Sequence, residues 1–201
     1  MRNALLIFVK NPALGKVKTR LAKTIGDYNA LKIYQYLLQN TMEHTYNLDM
    51  DKFVYYNEYI PTRDEWPNST YQKELQMGKH LGEKMNNAFF KGFDEGYHKV
   101  VMIMPDCPKL SDTLIEKAFK SLDGSDLVIG PTKDGGFYLL GMKMLQESLF
   151  KNKTYETATE YNDTIQAAEK MSLNIFKLPI LTDIDMEDDL GVLKKIIDNQ
   201  K

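Results

Sequence analysis

Cysteine, tryptophan and histidine are scarce: the 201 residues hold one Cys, one Trp and three His. The lone Cys107 excludes an internal disulfide framework. His44, His80 and His98 lie too far apart for metal-ligand spacing. There is no G-x-S-x-G elbow and no C-x-x-C pair. No apolar run approaches the ~20 residues that span a bilayer. The stretch Ala4–Val9 is shorter than the roughly 7–15-residue apolar core of a signal peptide, and no small-residue cleavage site follows it. An excess of charge of one sign is also missing. Lys plus Arg number 26 and Asp plus Glu 28, a net charge of −2, which speaks against a general nucleic-acid or membrane-surface binder. Repeats and low-complexity tracts are absent, and the 12 Gly and 7 Pro are scattered rather than gathered into a linker. These exclusions point to a cytoplasmic protein of one domain, residues 1–201, long enough to bury a sizeable core.

Short apolar runs alternate with amphipathic segments. Strands are expected at Ala4–Val9, Lys52–Tyr56, Lys99–Met104, Asp126–Gly130, Phe137–Gly141 and Leu173–Leu178. Helical periodicity is expected over Asp27–Tyr46, His80–Tyr97, Ser111–Ser121, Thr157–Met171 and Met186–Asn199. The segment Glu58–Met77, with Pro61 and Pro67, is ambiguous. The alternation predicts a three-layer α/β/α sandwich around a mostly parallel mixed sheet. In such sheets ligands gather beyond the carboxyl ends of the strands.

Three loops at strand ends carry polar chemistry. The first, KNPALGKVKTRL, places Lys10, Lys16, Lys18 and Arg20 directly after the first strand, with Gly15 and Thr19 among them. Cations with free backbone N–H groups suit a phosphate, and their place at a strand's carboxyl end favours this over a merely solvated basic turn. The loop is not a P-loop: its first glycine would fall at Lys10, and Lys16 is followed by Val17. Lys18 and Arg20 are both expected to be solvated in the free protein and to converge on one diphosphate. The second loop, MPDCPKL, fixes Asp106 between two prolines, where it would suit a hard cation or merely close a turn. Cys107 reads as a small buried residue. The third, GPTKDGGF, offers Asp134, Gly135 and Gly136, either for close approach to a ligand or for a tight turn. An acidic run, LTDIDMEDDL, follows the last strand. Asp183 and Asp185 point the same way in extended chain and could join Asp106 around a metal, while Asp185 also looks like a helix N-cap.

Five pieces in order, FVKNPALGKVKTRLA, QMGKHLGEKMNNAF, PDCPKL, GPTKDGGFYLLG and LTDIDMEDDL, carry a resemblance over about residues 4–190. The chain resembles small bacterial glycosyltransferase-like proteins once known only as a domain of unknown function. These are members of the nucleotide-diphospho-sugar transferase superfamily with the GT-A fold. Its basic loop is also similar to that of phospholactate guanylyltransferases. The resemblance implies that Gly15, Lys16, Lys18 and Arg20 hold nucleotide phosphates, to which the loop's own chemistry adds Lys10 and Thr19, and Lys18, Arg20 and Asp106 are expected to be catalytic. It implies Asp106, Asp183 and Asp185 as ligands of Mg²⁺ or Mn²⁺, and Asp134, Gly135 and Gly136 near the acceptor or sugar. The chain departs from the family pattern at Met104-Pro105, where small residues are common, and at Tyr155, where Trp is common. The implied activity is Mg²⁺-dependent transfer from a nucleotide sugar to a small-molecule acceptor. Alternatives are nucleotidyl transfer from a nucleoside triphosphate to a small phosphorylated acceptor, and a non-catalytic nucleotide-binding module.

Overall fold

In the first strand, β1 (Asn3–Val9), every residue from Ala4 to Val9 is buried, because the strand is covered on both faces. Leu5, Ile7 and Val9 join one apolar cluster, and Ala4, Leu6 and Phe8 join another on the opposite side of the sheet. The computed structural model describes residues 2–151, 153, 155 and 158–198. Along the chain β1 is followed by α1 (Thr19–Ile25), α2 (Asp27–Thr45), β2 (Asp51–Tyr56), β3 (Tyr71–Leu75), α3 (Leu81–Asp94) and β4 (Lys99–Ile103). Then come α4 (Asp112–Ser121), β5 (Leu127–Pro131), β6 (Phe137–Met142), α5 (Glu160–Lys170), β7 (Ile175–Lys177) and α6 (Lys194–Asp198).

The seven strands form one sheet in the order β3-β2-β1-β4-β6-β5-β7. β6 runs antiparallel to its neighbours β4 and β5, and the remaining pairs are parallel. Tyr34 and Leu38 of α2 and Ile115, Ala118 and Phe119 of α4 cover one face. Met85, Ala88 and Phe89 of α3 and Ile165 and Ala168 of α5 cover the other. This is the expected three-layer sandwich. Burying each large apolar side chain contributes roughly 1.5–3 kcal/mol, so the two clusters dominate stability. A third cluster packs Leu21 of α1 and Ile33 and Leu37 of α2 against Ile184, Leu190 and Leu193. It ties the acidic C-terminal segment to the basic loop's helix.

Ser111 and His80 cap α4 and α3, accepting from the amides of Leu114 and Glu83. Most strands and helices lie where expected, and a few elements depart. β3 forms inside the ambiguous segment; as an edge strand it alternates only weakly between buried and exposed positions. A separate helix, α1, precedes α2, divided from it by Gly26 at φ +80. The helix expected over Met186–Asn199 is instead two 3₁₀ turns, Glu187–Asp189 and Gly191–Leu193, followed by α6. Gly191 at φ +49 interrupts the helical path. Asp185 does not act as the N-cap: Asp189 instead accepts from the Asp185 and Met186 amides, at 3.2 and 2.7 Å. The expected ends Thr157 and Asn199 lie outside the described residues. Among the described residues, no helix is long and apolar enough to cross a membrane.

Candidate active site

The carboxyl end of β1 is held from three sides. The Tyr34 hydroxyl accepts from the Lys10 amide at 2.8 Å and lies 3.1 Å from the Lys10 carbonyl. Gln76 Nε2 donates to the Val9 carbonyl at 3.0 Å. The buried Asn11 donates from its side chain to the Tyr59 carbonyl at 2.9 Å, and its amide donates to Asn57 Oδ1 at 2.7 Å. From this anchor the basic loop turns at Ala13–Lys16, with Gly15 at φ +70, and is pinned again by the buried Val17. Lys10, Lys16, Thr19 and Arg20 are exposed.

Lys18 differs from its neighbours. Its backbone is left-handed, φ 47 and ψ 44, a conformation that costs a non-glycine residue about 1 kcal/mol or more. The turn tucks the side chain inward, where it is only 6% exposed. Its Nζ lies 2.5 Å from Asp106 Oδ1 and 3.3 Å from Asp185 Oδ1. Burial opposes its charge, but the two carboxylates outweigh that and hold the ammonium above its ordinary pKa. Lys18 is thus a buried structural cation and not the solvated one expected. Arg20, 62% exposed along its side chain, pairs with the other oxygen of Asp185, Nη1 to Oδ2 at 3.0 Å.

The segment after β7 reaches this place by running beside the end of β5. Leu178 donates to the Ile129 carbonyl, Leu181 to that of Pro131, and Lys133 to that of Leu181. Ile184 donates to the Asp106 carbonyl at 3.0 Å. Three carboxylates converge as a result: Asp134, Asp183 and Asp185 each offer an oxygen, all within 4.8 Å of one another. The expected set was Asp106, Asp183 and Asp185. In the structure Asp134, expected near the acceptor, lies with Asp183 and Asp185, while Asp106 pairs with Lys18. Asp134 is oriented by the Thr132 hydroxyl at 2.5 Å and the Gly136 amide at 3.0 Å, both on its Oδ1. Partial burial, then the charges of Asp134 and Asp185, push Asp183 up to about 6, with Lys18 acting in the opposite direction. Three hard oxygen donors crowded to the point of raising one pKa fit a hard divalent cation such as Mg²⁺ or Mn²⁺. The carboxylates line an open hollow of about 250 Å³ together with Arg20, Lys133 and Asp189.

Cys107 is buried beside these groups, and burial followed by the Asp106 and Asp183 charges raises its thiol well above the ordinary value, which disfavours the reactive thiolate. Gly135 has a reason other than ligand approach. At φ +95, a Cβ there would lie 2.0 Å from the Ala158 carbonyl oxygen, and the Gly135 carbonyl accepts from the Tyr161 amide. Gly135→Ala is expected to lower stability by about 2 kcal/mol or more, from the left-handed backbone plus the clash. Denaturant unfolding would check this, with Gly136→Ala, whose Cβ meets nothing closer than 3.0 Å, as the milder comparison. Sequence reasoning missed Asn11 and Tyr34, which act through tertiary neighbours, and the local parts played by Thr132, which orients Asp134, and Asp189, which holds the Asp185 and Met186 amides.

Comparison with known proteins places this geometry. The chain is 28% identical over 184 residues to a 2-phospho-L-lactate guanylyltransferase of Methanocaldococcus jannaschii, covering 89% of this chain and 77% of that protein. A crystal structure from Desulfovibrio desulfuricans, provisionally described as a nucleotide-diphospho-sugar transferase, superposes with a TM-score of 0.90 at 31% identity, covering 100% of this chain and 90% of that one. A 4-diphosphocytidyl-2C-methyl-D-erythritol synthase from Anaerococcus prevotii shares the fold at a TM-score of 0.61 and 10% identity, over 98% and 96% of the two chains. Residues 41–157, more than half of the sequence, match the family described as uncharacterized protein conserved in bacteria, DUF2064, and the chain belongs to that family.

Proposed function

We propose that this protein is a nucleotidyltransferase that joins a nucleoside triphosphate to a small phosphorylated acceptor. The observation that carries the reading is the meeting of a cationic loop with three converging carboxylates at the carboxyl end of the sheet. Similarity over nine-tenths of the chain to guanylyltransferases supports it over the sugar transfer that the sequence first suggests.

Lys10, Lys16 and Arg20 are exposed and would receive the triphosphate, Arg20 bidentately and the lysines as point charges. Lys18 holds Asp106 and Asp185 in fixed positions before any ligand arrives. Asp134, Asp183 and Asp185 would hold a Mg²⁺ or Mn²⁺ ion, which when bound neutralises phosphate charge. An oxygen of the acceptor phosphate attacks the α-phosphorus, a new P–O–P bond forms, and pyrophosphate leaves. A phosphate monoester is largely ionised at neutral pH, so the chain needs no general base, in keeping with a site built without histidine.

A thermal-shift screen of nucleoside triphosphates and nucleotide sugars, with and without Mg²⁺, finds the donor. A ligand at 100 times its Kd stabilises by about 2.7 kcal/mol, which is readily seen. The product then decides. Incubation of the stabilising triphosphate with small phosphorylated acids is expected to release pyrophosphate. Release of a nucleoside diphosphate from a nucleotide sugar would instead establish glycosyl transfer, to which the likeness to the Desulfovibrio protein would also lend itself.

A further inference from the structure

We propose that Arg20 is an exchangeable counter-ion. In the ligand-free protein it occupies Asp185, and on arrival of a phosphate it passes from the carboxylate to the anion and leaves Asp185 free to serve the divalent cation. The inference rests on the reading above only in taking the incoming anion to be a polyphosphate.

The argument starts from an asymmetry between two cations on one carboxylate. Lys18 is buried, paired twice, and has nowhere to go. Among the described residues Arg20 makes one ion pair, to Asp185 Oδ2, and its side chain is mostly in solvent. Its long, solvent-exposed side chain is free to swing away by rotation about its own bonds. Arg20 also lines the hollow that holds the three carboxylates, so an anion entering there meets its guanidinium directly. In this position Arg20 lowers the charge that the three carboxylates present to a metal ion, and Asp185 lowers the charge that Arg20 presents to phosphate. Each ligand therefore meets a half-neutralised site when alone. Together they relieve one another: the anion draws Arg20 away and the cation takes Asp185. Because binding free energies are linked, the gain is reciprocal.

Lys133 supplies the comparison. It lines the same hollow and is exposed, but forms no ion pair among the described residues. Removing it changes the general field without changing the occupancy of Asp185. Arg20 acts through Asp185 and so is a positioning residue toward the metal, whatever it later does for phosphate.

The test measures Mn²⁺ binding to the nucleotide-free protein from the electron paramagnetic resonance signal of the free ion. Arg20→Gln is expected to bind Mn²⁺ about tenfold more tightly than wild type. Arg20→Lys, which restores a cation, should return to within about threefold of wild type, and Lys133→Gln should stay within the same range. The reciprocal arm uses inorganic triphosphate in EDTA, followed by calorimetry. Asp185→Asn should bind it several-fold more tightly than wild type, and adding Arg20→Gln should abolish that gain. The proposal is overturned if Arg20→Gln binds Mn²⁺ no more tightly than wild type, if Lys133→Gln shifts it equally, or if none of these proteins binds Mn²⁺. A tightened Mn²⁺ affinity in a protein that releases no pyrophosphate would leave the counter-ion role standing and overturn the nucleotidyl-transfer reading alone.

Discussion

Lys18→Met is expected to destabilise the free protein by about 2–4 kcal/mol, with the fold retained. Breaking a buried pair by removing one partner costs about 3–5 kcal/mol, because a charge is left without compensation. Here the abandoned partners, Asp106 and Asp185, are still 35% and 31% exposed, so water recovers part of the loss. Met matches Lys in length and flexibility and keeps the left-handed backbone penalty the same, so the change isolates the charge. After the substitution Asp106 has no ion-pair partner among the described residues, and Arg20 alone faces Asp185. Denaturant unfolding at pH 7 measures the loss. Adding Asp106→Asn to Lys18→Met should recover a large part of it, since the second change removes the orphaned carboxylate. A stability unchanged from wild type in Lys18→Met would mean that the ammonium is solvated in the free protein, as the sequence first suggested. Its structural role would then be void.

The misplacement of Lys18 shows where sequence reasoning stops. The continuous apolar runs and the helical periodicities come from local chemistry, and the sheet and its layers followed from them. The candidate loops were picked out for the same reason, because strand ends in an α/β sheet are where polar residues have little structural work to do. The pairing among those loops was not legible. Whether Asp106 or Asp134 joins Asp183 depends on the hydrogen bonds from Leu181 to Pro131 and from Lys133 to Leu181, which set the path of the last segment. Whether Lys18 is solvated depends on one left-handed residue that propensity gives no reason to expect at a lysine. The cap at Asp185 failed in the same way. Its carboxylate had two cations available from residues 165 and 167 positions away, and these outcompeted a local amide.

Asp183→Asn is expected to act in opposite directions with and without metal. In EDTA above about pH 6 the wild-type carboxylate is ionised while partly buried and crowded by Asp134 and Asp185. Its folded pKa, about 6, lies above the ordinary 3.8. Between those values the folded state holds a proton that the unfolded state has released, so stability falls as pH rises through this window and levels off above it. The Asn variant cannot ionise and should lack that fall. It is therefore expected to be more stable than wild type at pH 7.5 in EDTA and closer to it at pH 4. With Mn²⁺ or Mg²⁺ the order should reverse. The variant has lost one of three converging oxygens as an anionic ligand, and its affinity for the ion should fall about 100-fold or more, given that even residues that only support metal ligands are worth 10–100-fold. Wild type gains stability from the ion according to its concentration over Kd, and the variant gains little at the same concentration. Thermal unfolding in EDTA and in millimolar Mn²⁺, at pH 4, 6 and 7.5, gives both comparisons. A variant that is less stable than wild type in EDTA at pH 7.5 would show Asp183 to be a stabilising structural carboxylate. A variant stabilised by Mn²⁺ as much as wild type would remove Asp183 from the metal site.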